Sequence, residues 1–114
     1  MNAWKSAALA VCTAAMILSG PANAACGASS CGPTLITKLY VNATNQAFVQ
    51  VAENLSPLNC TPEGGALFTL DLTQPSAEEL YALLLSAHLQ RTPLLIRLDD
   101  NSPGCTIAYA VSEQ

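Results

Sequence analysis

An export signal followed by four cysteines constrains the fold of this chain more than any other feature of its sequence. Residues 1–5 carry one positive charge, residues 6–19 form a mostly apolar run, and the pattern Ala22-Asn23-Ala24 follows it. Signal peptidase accepts only small side chains at the two positions that Ala22 and Ala24 occupy. The sequence therefore predicts a signal peptide over residues 1–24, with cleavage after Ala24.

Two other interpretations of this leader fit less well. A retained membrane helix needs about 20 apolar residues, which is longer than the run found here. A lipid anchor on Cys26 needs a bulky apolar residue where Asn23 stands. The predicted location is therefore outside the cytosol, either in the periplasm or beyond the cell.

The cysteines of the exported chain are expected to form two disulfides. Cys12 is removed with the signal, which leaves Cys26, Cys31, Cys60 and Cys105, an even number in an oxidising compartment. Three connectivities are possible, and the spacing favours Cys26 with Cys31 and Cys60 with Cys105. Loop entropy assigns about 2 kcal/mol to the short ring and about 4 kcal/mol to the long one. No Lys, Arg or His lies near Cys26 and Cys31 in the sequence to activate a redox thiol.

Length and charge limit what this chain can do. The 114 residues suffice for one domain, and 90 remain after the signal. Loss of Lys5 leaves three basic and eight acidic residues, a formal charge of −5. Such a chain is poorly suited to neutralise phosphates or anionic lipids. We expect neither a nucleic-acid partner nor a membrane partner after signal removal.

Hydropathy periodicity predicts five strands and one helix. Alternation of apolar and polar residues is typical of strands, and residues 42–45 have the Asn-rich composition of a turn. Residues 55–65 are rich in Pro and Gly and are predicted to form a loop held by Cys60. The predicted strands cover residues 35–41, 47–52, 67–72, 94–98 and 106–111, and the predicted helix covers residues 77–90. In the first strand the alternation assigns Leu35, Thr37, Leu39 and Val41 to the core side.

The predicted helix has clear ends and a wide apolar face. Ser76 followed by Glu79 forms a capping-box pattern, in which each side chain would bond the other residue's backbone amide. Thr92-Pro93 ends the helix, because proline cannot continue it. The apolar residues cover an arc of roughly 200°, wider than the ~100° that a surface helix needs. The helix is therefore expected to contact more than its own core, including copies of itself.

The element order predicts a small oligomer-binding (OB) barrel. That five-stranded barrel has three strands, then a helix, then two strands, and the helix covers one end. An open sheet with the helix on one face is the alternative. The predicted organisation is a signal peptide over residues 1–24, a disulfide loop over residues 25–33 and the OB-like barrel over residues 34–114.

Few side chains suggest chemistry. His88 is the only histidine, and its place on the apolar arc favours a core or rim position over a catalytic base. Asp99 and Asp100 favour a solvated turn over paired carboxylates or calcium ligands. Lys38, Tyr40 and Arg97 lie on strand faces opposite the assumed core and are candidates for ligand contact. The sequence predicts no catalytic residue, metal site or cofactor.

The layout of the chain resembles that of the B subunits of pertussis-like and subtilase-type bacterial toxins. The resemblance rests on the helix that turns through Gln90-Arg91-Thr92-Pro93 into an apolar strand with Arg97, on the opening Leu35-Ile36-Thr37-Lys38-Leu39, and on Cys105 near the last strand. It implies an OB barrel that assembles in rings and binds cell-surface glycans without catalysis. It assigns no binding residue.

Three classes of function follow from these observations. The first is an exported, non-enzymatic module that binds a glycan or a protein, with homo-oligomers expected. The second is a periplasmic or secreted inhibitor of a hydrolase, which would insert the loop of residues 55–65 into an active-site cleft. The third is a small hydrolase that uses His88.

Overall fold

The computed structural model describes residues 25–113, so the predicted signal peptide, its cleavage point and Gln114 lie outside the described residues. Within that range the protein is mainly β, with one helix and two disulfides. Its elements, in chain order, are β1 (Ser30–Thr34), β2 (Ile36–Val41), β3 (Gln46–Val51), β4 (Thr61–Pro62), β5 (Phe68–Asp71), α1 (Ala77–Gln90), β6 (Leu94–Leu98), β7 (Pro103–Gly104) and β8 (Ile107–Val111).

The described strands form three sheets. One sheet has the order β1-β6-β8 and another β2-β3-β5, and all their pairs are antiparallel. The short strands β4 and β7 form a parallel pair. An isolated parallel bridge between Thr69 and Thr106 links β5 to the segment before β8. The sheets are not closed into a barrel, so the predicted five-stranded barrel is not confirmed.

The two disulfides join Cys26 to Cys31 and Cys60 to Cys105. These are the pairings that the cysteine spacing favours. Cys31 lies in β1, which pairs with β6, so the boundary predicted between residues 33 and 34 falls inside a strand. Disulfides are typical of proteins that fold in oxidising compartments, which is consistent with export. No helix in the described range has the length and hydropathy of a membrane span.

The face assigned to the first predicted strand is correct only for Leu39, which packs against the core. Ile36 is buried, whereas Leu35 and Val41 are exposed. The pairing of β2 with β3 shifts register between Ile36 and Lys38. Such an irregularity inserts a residue into the alternation and turns the following side chains to the other face. A strict period of two therefore could not identify the buried side of this strand.

The β2–β3 hairpin and strand β6 agree with the sequence. The Asn42 side-chain oxygen accepts hydrogen bonds from the backbone amides of Thr44 at 2.9 Å and Gln46 at 3.1 Å. Asn45 adopts a φ of 63°, which asparagine tolerates better than most residues. In β6, alternate residues are buried, as the period of two predicts.

The bounds predicted for α1 are confirmed, but its predicted capping box is wrong. Ser76 is the N-cap residue with a φ of 64°, and its side chain makes no capping hydrogen bond. A capping side chain works from extended backbone, and the left-handed conformation of Ser76 turns its hydroxyl away from that geometry. At the other end Arg91 is left-handed, and Thr92 donates its amide to the Ala87 carbonyl at 2.9 Å.

The core lies between the two three-stranded sheets and the helix. On α1 only part of the predicted arc is fully buried, namely Ala77, Leu84 and Ala87. Burial of each large apolar side chain contributes about 1.5–3 kcal/mol. The largest fully buried side chains include Val49, Phe68, Leu70, Leu84, Leu94, Ile96, Leu98 and Ile107.

Candidate functional site

His88 connects the end of α1 to β2. It lies near the end of α1 and is half-buried, with Nδ1 3.1 Å from the carbonyl oxygen of Ile36 in β2. A carbonyl only accepts, so a neutral His88 donates from Nδ1. The ring thus holds the helix end against the first residue of β2, which agrees with the predicted rim position.

Asp99 and Asp100 lie in an exposed turn, as predicted. The Asp100 carboxylate accepts a hydrogen bond from the Asn59 side-chain amide at 3.2 Å, and the Asn59 oxygen accepts one from the Asn101 amide at 3.1 Å. These contacts tie the β6–β7 turn to the loop that carries Cys60. The Asp100 side chain therefore serves a structural contact between loops, whereas Asp99 takes part in hydrogen bonds of its own turn through its backbone.

The three candidates for ligand contact do not gather into one site. Lys38 and Tyr40 are exposed on β2, whereas Arg97 is half-buried on β6, a strand of the other large sheet. The Tyr40 ring packs against Phe48, with centroids 5.2 Å apart. Arg97 Nε donates to the Leu98 carbonyl at 3.4 Å.

The structure instead brings together a polar groove that the sequence did not predict. It has a volume of about 390 Å³ and lies beside the bridge between β5 and the segment before β8. The β2–β3 turn forms one wall and β7 forms another. We call it the polar groove. Its polar side chains include Gln46, Glu63, Thr69, Asp71, Thr73 and Thr106.

Thr69 contributes a buried side-chain hydroxyl to the polar groove. Its residue is only 8% exposed, and its hydroxyl oxygen is buried with no hydrogen-bond partner in the described part of the chain. A buried hydroxyl without a partner costs about 1–3 kcal/mol. Groups of this kind are rare in folded proteins and call for an explanation such as a bound water molecule, ion or ligand.

Gly104 packs closely against this hydroxyl. Its φ is +79°, a conformation that residues with side chains rarely adopt. A Cβ atom at this position would lie 2.9 Å from Thr69 Oγ1 and 3.6 Å from Glu63 Oε1. A side chain at Gly104 would therefore crowd the buried Thr69 hydroxyl, at a point that the Glu63 carboxylate also approaches.

Asp71 is a preorganised carboxylate at the edge of the polar groove. Its Oδ1 accepts hydrogen bonds from the Thr73 hydroxyl at 2.6 Å and from the Thr73 amide at 2.9 Å. The hydroxyl bond and then the amide bond lower the pKa of Asp71 below the ordinary value of 3.8. Both bonds use the same oxygen, so Oδ2 is engaged by neither of them.

Backbone contacts fix the walls of the groove. Glu63 and Leu67 exchange backbone hydrogen bonds of 2.8 and 3.0 Å around Gly64 and Gly65. The Thr69 amide donates to the Cys105 carbonyl at 3.1 Å. Because Cys105 is bonded to Cys60, the long disulfide anchors the groove from beneath.

Other grooves carry weaker signs of function. A groove of about 470 Å³ beside the loop after β3 is lined in part by Glu53, whose carboxylate already accepts a 2.8 Å hydrogen bond from Thr34. A groove of about 260 Å³ lies between the start of α1 and β8 and includes Tyr109 and Glu79. Neither of them is lined by Thr69, whose hydroxyl is buried and unpartnered.

The chemistry of the polar groove is that of hydrogen bonding. It offers carboxylates, amides and hydroxyls, and none of its lining residues is basic or aromatic. Within residues 25–113 no cluster of three or more His, Cys, Asp or Glu side chains is arranged to hold a metal ion. The arrangement suits the recognition of a hydroxyl-rich molecule.

Sequence reasoning missed this groove because its residues come from four separate segments. Gln46, Glu63, Thr69 and Gly104 meet only after the sheets have formed. One local signal was present, since Asp71 and Thr73 have the spacing of an Asx turn. That signal predicts a turn and not a site.

No protein-family model matches the chain, and neither a curated protein nor a solved structure is detectably similar to it.

Proposed function

We propose that the protein is an exported, non-enzymatic module that binds a glycan in the polar groove. The observation that carries this proposal is the buried, unpartnered hydroxyl of Thr69 beneath Gly104. A sugar hydroxyl can both donate and accept, so it matches an unpaired hydroxyl and a nearby carboxylate such as that of Glu63. With no aromatic lining, recognition would depend on these hydrogen bonds.

We further propose that the two large sheets form an OB-like curled sheet. Strands β1 and β2 are separated by one residue and correspond to a single bent first strand. Following the pairs then gives the order β2-β3-β5, the Thr69–Thr106 bridge, β8-β6-β1 and a return to β2. This cyclic order, with α1 between the third and fourth major strands, supports the OB-like arrangement.

The position of the polar groove supports oligosaccharide binding. OB folds bind oligonucleotides and oligosaccharides with the loop between strands 1 and 2 and the loop between strands 4 and 5. Under the proposed correspondence these loops are the β2–β3 turn, with Thr44 and Asn45, and the β6–β8 connection, with Gly104. The formal charge of −5 after signal removal disfavours oligonucleotides.

The engagement of His88 supports a role without catalysis. Its Nδ1 faces the Ile36 carbonyl, and a ring held in this way serves helix packing. If the protein were instead a small hydrolase that uses His88, His88→Ala would abolish any hydrolytic turnover. Under the proposal the exported protein has no turnover for this substitution to remove.

A glycan array tests the main proposal. The oxidised exported protein is expected to bind at least one glycan, and Thr69→Val should weaken that binding about tenfold, because it removes the hydroxyl with little change of shape. Thr37→Val is the matched control, since Thr37 bonds the Gln50 carbonyl outside the groove. Absence of any bound glycan, or equal weakening by both variants, would contradict the proposal.

Inhibition of a hydrolase is the second candidate function. It is favoured by the rigid attachment of residues 55–65, where the Asn59 amide donates to the Ala28 carbonyl at 2.8 Å and Cys60 is bonded to Cys105. Disulfide-anchored loops of this kind can enter active sites with little loss of entropy. Inhibition assays against lysozymes and proteases separate this candidate from glycan binding.

The expected homo-oligomer stays a prediction. Leu85, on the apolar arc of α1, is only half-buried, and Leu89, next to that arc, is 71% exposed, so part of this side of the helix faces outward. Light scattering at high concentration is the direct measurement. A monomer at all concentrations would remove the ring assembly from the proposal.

A further inference from the structure

The charges around the polar groove are all of one sign. Glu63 and Asp71 contribute carboxylates, and no lining residue is basic. Lys38, Arg91 and Arg97, the basic residues of the exported chain, are absent from its lining. An acidic sugar would therefore meet like charges with no compensating cation, which costs binding free energy.

Thr69 shows that this acidic groove is more than a solvated surface. Its unpartnered hydroxyl is buried and lies beside the same Gly104 position that Glu63 approaches. The two hydrogen bonds from Thr73 lower the pKa of Asp71, which keeps that carboxylate ionised in mildly acidic conditions. A ligand in the polar groove would thus meet two carboxylates beside a buried hydroxyl that lacks a partner.

We infer that the polar groove prefers an amine-bearing sugar over neutral or acidic sugars, with Glu63 and Asp71 as the partners of the ammonium group. This inference rests on the proposed glycan-binding function and specifies its ligand. The hydroxyls of the sugar satisfy the Thr69 side chain and Gln46, and the amine supplies the charge that the lining lacks. No covalent step is involved.

Glucosamine oligomers and N-acetylglucosamine oligomers of equal length provide a matched pair of probes. They share one backbone, and only the former carry free amines, which are protonated in mildly acidic buffer. Titration calorimetry on the oxidised exported protein should give about tenfold tighter binding of the amine form at low salt, as expected for two exposed charge contacts. An oligogalacturonate of similar length should bind more weakly than either.

Charge-neutral variants separate the groove from the overall acidity of the protein. Glu63→Gln with Asp71→Asn should abolish the preference for the amine form, and both new side chains can still accept hydrogen bonds. Glu78→Gln with Glu79→Gln removes the same charge from the exposed first turn of α1 and should retain the preference. Equal loss in both double variants would overturn the inference, because it would assign the preference to net charge.

The remaining outcomes distinguish the inference from the function on which it rests. Equal affinity for the amine and acetylated oligomers, or tighter binding of the acidic oligomer, overturns the inference while glycan binding stands. Failure of every probe here and of every glycan on the array contradicts the proposed function itself.

Discussion

The two large sheets meet at two joints that are held in different ways. At the helix-covered joint, β1 continues into β2 under α1, where Ile36 belongs to the same buried cluster as Leu84 and Ala87. At the stapled joint, the Thr69–Thr106 bridge is reinforced by the disulfide between Cys60 and Cys105. Apolar burial holds the first joint, and a covalent bond reinforces the second.

This difference explains why the polar groove lies at the stapled joint. A joint held by apolar packing cannot tolerate an unpartnered hydroxyl without losing the stability that packing supplies. A disulfide stabilises mainly by restricting the unfolded chain, and here it adds to apolar packing, since Cys60 and Cys105 belong to the buried cluster. The stapled joint can therefore expose carboxylates and leave Thr69 unpaired, at a cost that the covalent bond offsets.

Removal of the long disulfide should give the largest effect. Replacing both Cys60 and Cys105 by Ser opens a loop with a sequence separation of 45, and loop entropy predicts a loss of about 4 kcal/mol of unfolding free energy. Replacing Cys26 and Cys31, with a separation of 5, should cost about 2 kcal/mol. Urea denaturation measures both losses, and an equal or reversed order would mean that the long disulfide is not the main covalent support of the stapled joint.

Truncation of the packed helix side chain tests the helix-covered joint. Leu84 is fully buried, so Leu84→Ala should reduce the unfolding free energy by about 3 kcal/mol through lost burial and a residual cavity. Leu89 lies on the same helix but is 71% exposed, and Leu89→Ala should change stability by less than about 0.5 kcal/mol. Similar losses from both variants would show that the helix is not held by this face.

A methyl group at Gly104 tests how closely this glycine packs against Thr69. Gly104 and Gly65 both have a φ of +79°, but only the Cβ at Gly104 would meet neighbouring atoms. Gly65→Ala should cost about 1 kcal/mol from the left-handed backbone alone. Gly104→Ala should cost about 2 kcal/mol, because it adds overpacking to the same backbone term. Thermal denaturation compares them, and equal losses would mean that the groove accommodates the methyl group.

The same contrast explains what the sequence could predict. The limits of α1 and the buried face of β6 follow from local periodicities, which depend only on neighbours along the chain. The buried side of β2 does not, because the irregularity near Ile36 depends on its partner strand. The capping box was wrong for a similar reason, since the sequence pattern at Ser76 does not fix its backbone conformation.

No local sequence pattern predicts the polar groove. Glu63, Thr69 and Gly104 are brought together by sheet pairing and by the Cys60–Cys105 bond. The cysteine spacing favoured that bond, but no periodicity indicates which hydroxyl is left without a partner.

The smallest expected effect concerns the acidity of Asp71. The Thr73 hydroxyl is the largest cause of its lowered pKa, so Thr73→Val should raise that pKa toward 3.8 while the backbone hydrogen bond remains. A carboxyl with a lowered native pKa contributes stability above its unfolded pKa, and this contribution is lost as the pH falls through the native value. As the pH falls, protonation of Asp71 should therefore reduce the stability of Thr73→Val less than it reduces the stability of the unchanged protein.

Carboxyl NMR titration of Asp71 measures this change. Thr106→Val is the control, because Thr106 lines the same groove but makes no hydrogen bond to Asp71. An unchanged Asp71 pKa in Thr73→Val would mean that solvent replaces the hydroxyl without loss. In that case the Thr73 hydroxyl does not lower the pKa of Asp71, and only the backbone hydrogen bond from Thr73 positions the Asp71 carboxylate.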